Sequence, residues 1–255
     1  MEAAATRPKW TMLGALAGLA LALLGGVAGW AYGSHRFASN PAAALAAGDR
    51  AAIEQVVHDY ILAHPEVLPQ AIDNLRRNES AKQLAGVKDE VFAAFPDAVL
   101  GNPHGKLTIV EFTDYACTFC RRSVADLEQL IAADPELRVV VRELPILSPE
   151  SGDAARLALA AARQGRYAAF HHVMFEIGRP DPATMEAAAK AAGIDLVRAR
   201  KATTDPAIAA EISRNMDLAR RLGFEGTPSW VIGNQLLSGA VGKDRLAQAI
   251  AAARG

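Results

Sequence analysis

The spacing of apolar residues changes character several times along the chain. From Trp10 to Ser34 no charge occurs, and Leu13, Leu16, Leu19, Leu21, Leu23, Leu24 and Val27 carry the run. About 20 apolar residues in helical form cross a hydrocarbon layer of ~30 Å, so this stretch is long enough for a transmembrane helix. Arg7 and Lys9 precede it, Arg36 follows, and Trp10, Trp30 and Tyr32 bracket it as interfacial aromatics do. A secretory signal peptide has a shorter apolar region, about 7–15 residues. The length therefore favours an uncleaved anchor over residues 1–36, with the N-terminus inside and the rest exported.

Residues 37–48 are Ala-rich with Ser39, Asn40 and Pro41, the composition of a linker. From about Asp49 the pattern becomes helical. Ile53, Val56, Val57, Tyr60 and Ile61 recur at i, i+3, i+4, i+7 and i+8, up to a stop at His64-Pro65. Leu68, Ala71, Ile72 and Leu75 make a second apolar face. A third helical stretch is predicted from Ala81 to Phe95, ahead of Pro96 and the Gly101-Asn102-Pro103 turn. This helical lead, the second part of a 37–95 segment, either pads the following domain or forms a self-association surface over residues 49–95 that makes a homo-oligomer.

Beyond Gly105 the period shortens. Leu107 to Thr113 is an apolar, β-branched run that reads as a buried strand. Cys120, Val124, Leu127 and Ile131 then fall at i, i+4, i+7 and i+11, predicting a helix from about Cys117 to Ala133. Leu137 to Glu143 is another buried strand, giving a βαβ unit with parallel strands. Residues 150–222 read as four helices, Ala155 to Ala162, Tyr167 to Ile177, Met185 to Ala192 and Ile208 to Leu222. Ser229 to Ile232, a Gly233-Asn234 turn and Gln235 to Ser238 make a hairpin, and a helix runs from about Lys243 to Arg254. The fold class is thus α/β, with a helical insert between the two halves of the sheet in a domain spanning 96–255.

Composition narrows the function. Over 255 residues, 27 Lys+Arg stand against 28 Asp+Glu, leaving no basic field to draw nucleic acid, and no nucleic-acid motif occurs. At 51% hydrophobic and 22% charged the chain is a packed globular protein. Its 2 cysteines, Cys117 and Cys120, exclude a disulfide-stapled scaffold and any four-cysteine zinc site.

Cysteines at i and i+3 on a first helical turn have Cα atoms about 5–6 Å apart, a span a disulfide accepts. The first sits where free backbone N–H groups and the positive end of the helix dipole favour a thiolate, which makes Cys117 the nucleophile. Cys120, on the apolar stripe and shielded from solvent, is placed to resolve a mixed disulfide. A c-type haem requires His after the second cysteine, and Arg121 stands there. Zinc needs two more ligands, and the adjacent His171 and His172 point about 100° apart on a helix, as ordinary surface or packing residues. Copper(I) carriage by the same thiolates is the alternative reading, without a Met-rich or His-rich tract to accompany it. A static disulfide is disfavoured because so short a loop removes little unfolded-state entropy.

Glu111, in the middle of the apolar strand, is expensive to bury unless its pKa rises or it has a task. Six residues before Cys117, it is a candidate acceptor for the proton of Cys120; the alternative is a side chain facing solvent at a sheet edge. Arg121 and Arg122 read as solvated, and Asp114 would oppose a thiolate if close.

Three features together resemble the thioredoxin-fold disulfide oxidoreductases of the DsbA type. They are Glu-Phe-Thr-Asp-Tyr-Ala-Cys-Thr-Phe-Cys at 111–120, Gly226-Thr227-Pro228, and the helical insert between them. The resemblance implies a thioredoxin fold with an inserted helical domain, a cis proline at Pro228, and Thr227-Pro228 packed on the disulfide with backbone free to pair with a substrate peptide. It implies that Cys117 attacks, Cys120 resolves and Glu111 is the buried acid, with neither metal nor organic cofactor. Its partners would be cysteine-containing exported proteins and a membrane or soluble redox partner. Its place would be a bacterial inner membrane, single-pass through residues 10–34, with the catalytic domain in the periplasm. Thr118-Phe119 departs from the Pro-His of the best-known oxidase and the Gly-Pro of thioredoxins, and without a cation between the cysteines argues for a less oxidising couple.

Overall fold

The computed structural model describes residues 47–254, so the expected membrane run over residues 10–34 lies outside the described residues. Among the described residues no helix is long and apolar enough to cross a membrane. The chain separates into two units, one ending at Gln70 and one from Ala71 to Gly255. In the first, α1 (Ala47–Ala63) ends just before His64-Pro65. Ile53, Val56, Val57, Tyr60 and Leu62 on it are exposed. The next helix, α2 (Val67–Ala85), starts in the first unit and continues into the second.

The second unit opens differently from the single helix expected over Ala81 to Phe95. α2 stops at Ala85, Gly86 and Val87 intervene, and a five-residue helix, α3 (Lys88–Phe92), follows. Neither Val87 nor any other side chain caps the start of α3; its C-terminal end is held instead by a tertiary partner described below. The strands are β1 (Val99–Gly101), β2 (Leu107–Thr113), β3 (Leu137–Glu143), β4 (Ser229–Ile232) and β5 (Gln235–Ser238), in the sheet order β1-β3-β2-β4-β5. β2 and β3 are parallel, joined by α4 (Thr118–Ala133), and the other pairings are antiparallel. β1 is missing from the sequence reading because three residues between Pro96 and a Gly-Asn-Pro turn carry no alternation; they become a strand only by pairing with Val139 and Val140. The turn that follows needs glycine: Gly101 has φ +72°, and a Cβ there would lie 2.6 Å from the Leu137 carbonyl oxygen.

The insert holds five helices rather than four: α5 (Ser151–Ala162), α6 (Tyr167–Ile177), α7 (Pro182–Ala191), α8 (Leu196–Thr203) and α9 (Pro206–Arg221). The unexpected α8 is short and polar, with Ala199 its one buried residue, and its signal is the start rather than the stripe. Asp195 accepts from the N–H groups of Val197 and Arg198, as Asp181 and Asp205 do at the heads of α7 and α9, where Pro182 and Pro206 occupy the first helical turn. α10 (Lys243–Arg254) closes the chain.

Alternation along the strands divides the core in two. Ile109, Val139, Val141, Trp230 and Ile232 face α4, α10 and the insert, whereas Val110, Phe112, Val140 and Val231 face the layer that contains α3 and α9. Arg142 belongs to the second face and is 1% exposed. Its guanidinium donates to Glu211 Oε1 at 2.9 Å, Asn215 Oδ1 at 2.8 Å and the Val91 carbonyl, and also to the carbonyls of Glu90 and Ala93. One cation thus satisfies the C-terminal carbonyls of α3 and a buried carboxylate on α9.

Removing that cation while leaving Glu211 buried should be severe. Arg142→Met is expected to lower the unfolding free energy by about 3–5 kcal/mol in urea titration, with Glu211→Gln costing less because the carbonyl contacts remain. A loss below about 1 kcal/mol for Arg142→Met would show that the network is not what holds α3.

Candidate active site

The helix predicted to start at Cys117 starts one residue later, and Cys117 is its N-cap, with φ −81° and ψ 113°. Its Sγ accepts the backbone N–H of Cys120 at 3.0 Å, the contact that an Asp or Ser oxygen makes at most helix starts. As a thiol it donates to the Thr227 carbonyl at 3.2 Å. Both cysteines are free. Exposure separates them less than expected: Cys117 keeps 3% of its surface and Cys120 none.

Hydrogen bonding separates them more. The contact with Cys120 pulls the Cys117 thiol down to about 6, aided by Thr227 and by backbone N–H groups and opposed by burial. Cys120 moves the other way. Burial pushes its thiol strongly up, as do its contact with Cys117 and the nearby Glu111 carboxylate. Near neutrality the outer sulfur is a thiolate and the inner one holds its proton.

Thr227-Pro228 is a cis peptide bond at the entry to β4. Ser229 Oγ steadies that turn by donating to the Gly226 carbonyl at 2.7 Å. Glu111 lies on β2, between β3 and β4, paired with Val141 and Trp230; it is 2% exposed, so the sheet-edge alternative does not apply. Burial raises its carboxyl to about 8, with further contributions from Glu143 and Cys117, and its Oε2 has no hydrogen-bond partner. The structure therefore brings Cys117, Cys120, Glu111, Thr227 and Pro228 into one locality, from three separate stretches: β2, the head of α4 and the loop before β4.

Asp114 does not oppose the thiolate as a bare charge. Its carboxylate accepts from the N–H groups of Ala116, Ile146 and Leu147 at 2.8–2.9 Å and from Ser151 Oγ at 2.7 Å. It ties the cysteine loop to the first turn of α5. Arg121 and Arg122 are exposed, and the Arg122 guanidinium lies 4.5 Å from the ring centroid of Phe119, itself 55% exposed beside the cysteines. Phe119 and Arg122 join Ser123, Asp126, Ala240 and Gly242 around a cleft of about 370 Å³.

His171 and His172 part company, as adjacent helical residues do. His171 is buried among Tyr115, Tyr167 and Phe175, and burial drives its imidazole down to about 3, while exposed His172 meets Glu128 at 2.6 Å. Among the described residues no three His, Cys, Asp or Glu are grouped as metal ligands. Sequence reasoning missed one acid. Glu143 ends β3 with 1% exposure, and burial raises it to about 8 although Tyr115 and Tyr167 hydroxyls donate to it. Glu143, a carboxylate at the end of the valine-rich β3, carries the same sequence signal as Glu111 in the apolar β2.

The geometry has relatives. A family model of the DSBA-like thioredoxin domain matches residues 108–251, and one of the copper resistance protein ScsC N-terminal domain matches residues 49–82. A thioredoxin-like oxidoreductase from Silicibacter pomeroyi is 41% identical, with a TM-score of 0.63 over 65% of this chain and 96% of that one. A periplasmic thioredoxin-like protein from Salmonella enterica serovar Typhimurium is 30% identical, with a TM-score of 0.60 over 66% and 95%. The thiol-disulfide exchange protein alpha-DsbA2 from Wolbachia pipientis is 29% identical, with a TM-score of 0.65 over 70% and 97%. Among curated proteins, a Na(+)/H(+) antiporter NhaA 3 of Salinispora tropica is 27% identical over 175 residues, 66% of this chain. The chain spans about a quarter of that protein's length, 26%. The sheet with its helical insert is thus a thioredoxin-like α/β fold, and with the domain model covering more than half of its residues the chain belongs to the DSBA-like thioredoxin domain family.

Proposed function

We propose that the chain is an extracytoplasmic protein-disulfide oxidoreductase that exchanges a Cys117–Cys120 disulfide with cysteines of exported proteins. The observation that carries this reading is the split acidity of two adjacent thiols, produced when the sulfur of Cys117 caps α4. A substrate thiolate attacks Cys117 Sγ, the Cys117–Cys120 bond breaks, and Cys120 leaves with the electron pair and takes a proton from Glu111. A second substrate thiolate then attacks the substrate sulfur of the mixed disulfide, and Cys117 leaves as the stabilised thiolate. The reverse sequence oxidises the enzyme, with Cys120 attacking Cys117 Sγ as Glu111 takes back the proton. The Thr227-Pro228 backbone, beside Cys117, is suited to align the substrate chain.

A periplasmic setting agrees with the relative from Salmonella enterica, and the uncharged run over residues 10–34 supplies a tether to an inner membrane. Helices α1 and α2 support assembly into a homo-oligomer: Ile53, Val56, Val57, Tyr60, Leu68, Ile72 and Leu75 are exposed along a segment that matches the ScsC N-terminal model. That model's name refers to copper, but it covers residues 49–82, which contain no cysteine, and so it supplies the copper(I) alternative with no thiolate.

Three results are expected. The rate of Cys117 alkylation should rise with pH through a midpoint near 6 rather than that of an ordinary thiol; a midpoint above about 8 would remove the basis of the assignment. Cys117→Ser should abolish disulfide exchange, whereas Cys120→Ser should accumulate mixed disulfides with reduced client proteins on non-reducing gels; equal turnover by the two variants would refute the division of roles. Carbonate washing should leave the full chain in the membrane pellet until detergent is added, and its release by carbonate alone would exclude the tether.

A further inference from the structure

The proton that Cys120 exchanges with Glu111 moves within a buried layer, and that layer holds a second carboxyl. In the parallel pairing of β2 and β3, Glu111 stands opposite Val141 and Thr113 opposite Glu143. Alternate residues share a face, so Glu111, Thr113 and Glu143 all point toward α4 and the insert. Strand rise and spacing put the Cα atoms of the two acids roughly 8 Å apart. Glu111 and Glu143 are 2% and 1% exposed. Resting on the reading of Glu111 as proton carrier, we propose that Glu143 is a positioning residue for that proton: held by two tyrosine hydroxyls, its carboxylate makes Glu111 the acid that keeps the proton and the stronger base toward Cys120.

The environment of the two acids differs in the required sense. Tyr167 donates to Glu143 Oε1 at 2.6 Å and Tyr115 donates to the same oxygen at 3.2 Å, bonds that favour the ionised form. The Oε2 atoms of both acids lack a partner, so the two hydroxyls on Glu143 Oε1 are what set the acids apart. Two carboxyls sharing an interior ionise in turn rather than together as pH rises, and the two tyrosine bonds make Glu143 the first to ionise and Glu111 the one that keeps its proton. The groups facing Glu143 are Asp114 and Tyr115 from the loop before α4, Tyr167 from α6, and Glu111 from β2, with His171 behind the Tyr167 ring; those facing Glu111 include Cys117 and Cys120 at the head of α4. His171 is neutral, and Arg142, on the other face of β3, is engaged by Glu211. Burial and neighbouring anions are what raise both acids, each to about 8.

The test uses the reduced protein and Ellman's reagent. The reagent forms a mixed disulfide at Cys117 with release of one thionitrobenzoate. Cys120 then attacks Cys117 Sγ, its proton passes to Glu111, the Cys117–Cys120 bond forms and a second thionitrobenzoate leaves with the electron pair. The rate of this second release should rise with pH through a limb near 8 in the unaltered chain. Glu143→Gln retains an acceptor for the two hydroxyls and should move the limb down by about one pH unit and lower its plateau. A limb that stays in place overturns the proposal, as does a uniform slowing at every pH, which is what a merely structural role produces. Should Glu143→Gln not fold, Tyr167→Phe leaves the carboxyl but removes its shorter hydrogen bond. It should shift the limb in the same direction by less, and an unmoved limb there is equally fatal. Glu111→Gln should abolish the limb; if it persists in that variant, the reading of Glu111 fails rather than the role of Glu143.

Discussion

The chemistry of this fold depends on a sulfur standing where a helix ordinarily places an oxygen. The head of α4 has backbone N–H groups that need an acceptor, and Cys117 Sγ serves for that of Cys120. A thiolate accepts such a bond better than a thiol, so satisfying the helix and lowering the thiol's pKa are one event. The same geometry buries Cys120 a turn below, where ionisation is disfavoured. Neither effect requires a charged side chain between the cysteines, and Thr118-Phe119 provides none. The sheet then supplies what the helix lacks, because β2 carries Glu111 beneath the pair and the loop before β4 sets the Thr227 carbonyl against the outer sulfur.

Much of this was legible in the residues. The short apolar, β-branched runs of Leu107–Thr113 and Leu137–Glu143, the stripe from Cys120 to Ile131 and the glycine-asparagine turn between β4 and β5 each specify an element by a local rule, and each lies where that rule puts it. Glu111 was recognisable because an acid in an apolar strand conflicts with its surroundings, and the raised pKa of the buried carboxyl expresses that conflict.

What escaped has a common cause. β1 is a strand by virtue of its partner, α3 ends on a guanidinium about fifty residues away, and α8 has a cap without a stripe. Arg142 and Glu143 are neighbours that point to opposite faces, one to a carboxylate and the other to two tyrosines, and nothing near them in the chain announces either partner. Local propensity identifies a charged residue in an apolar strand; only the packed structure shows what neutralises it. The even division between Cys117 and Cys120 in exposure is similar, since the distinction between them lies in the contacts of Cys117 Sγ with Cys120 and the Thr227 carbonyl and in the surroundings that bury Cys120, the second contact forming only once α4 meets the loop before β4.

The Asp114 carboxylate carries a consequence for how such domains can be rebuilt. Its four donors come from both sides of the junction between sheet and insert: Ala116 from the cysteine loop, and Ile146, Leu147 and Ser151 from the entry to α5. The seam is therefore stitched at the very edge of the reactive turn. A chimera that borrows its helices from another member of the family must splice downstream of Ser151 or import the whole stitch, or the loop that aims the outer sulfur loses its footing.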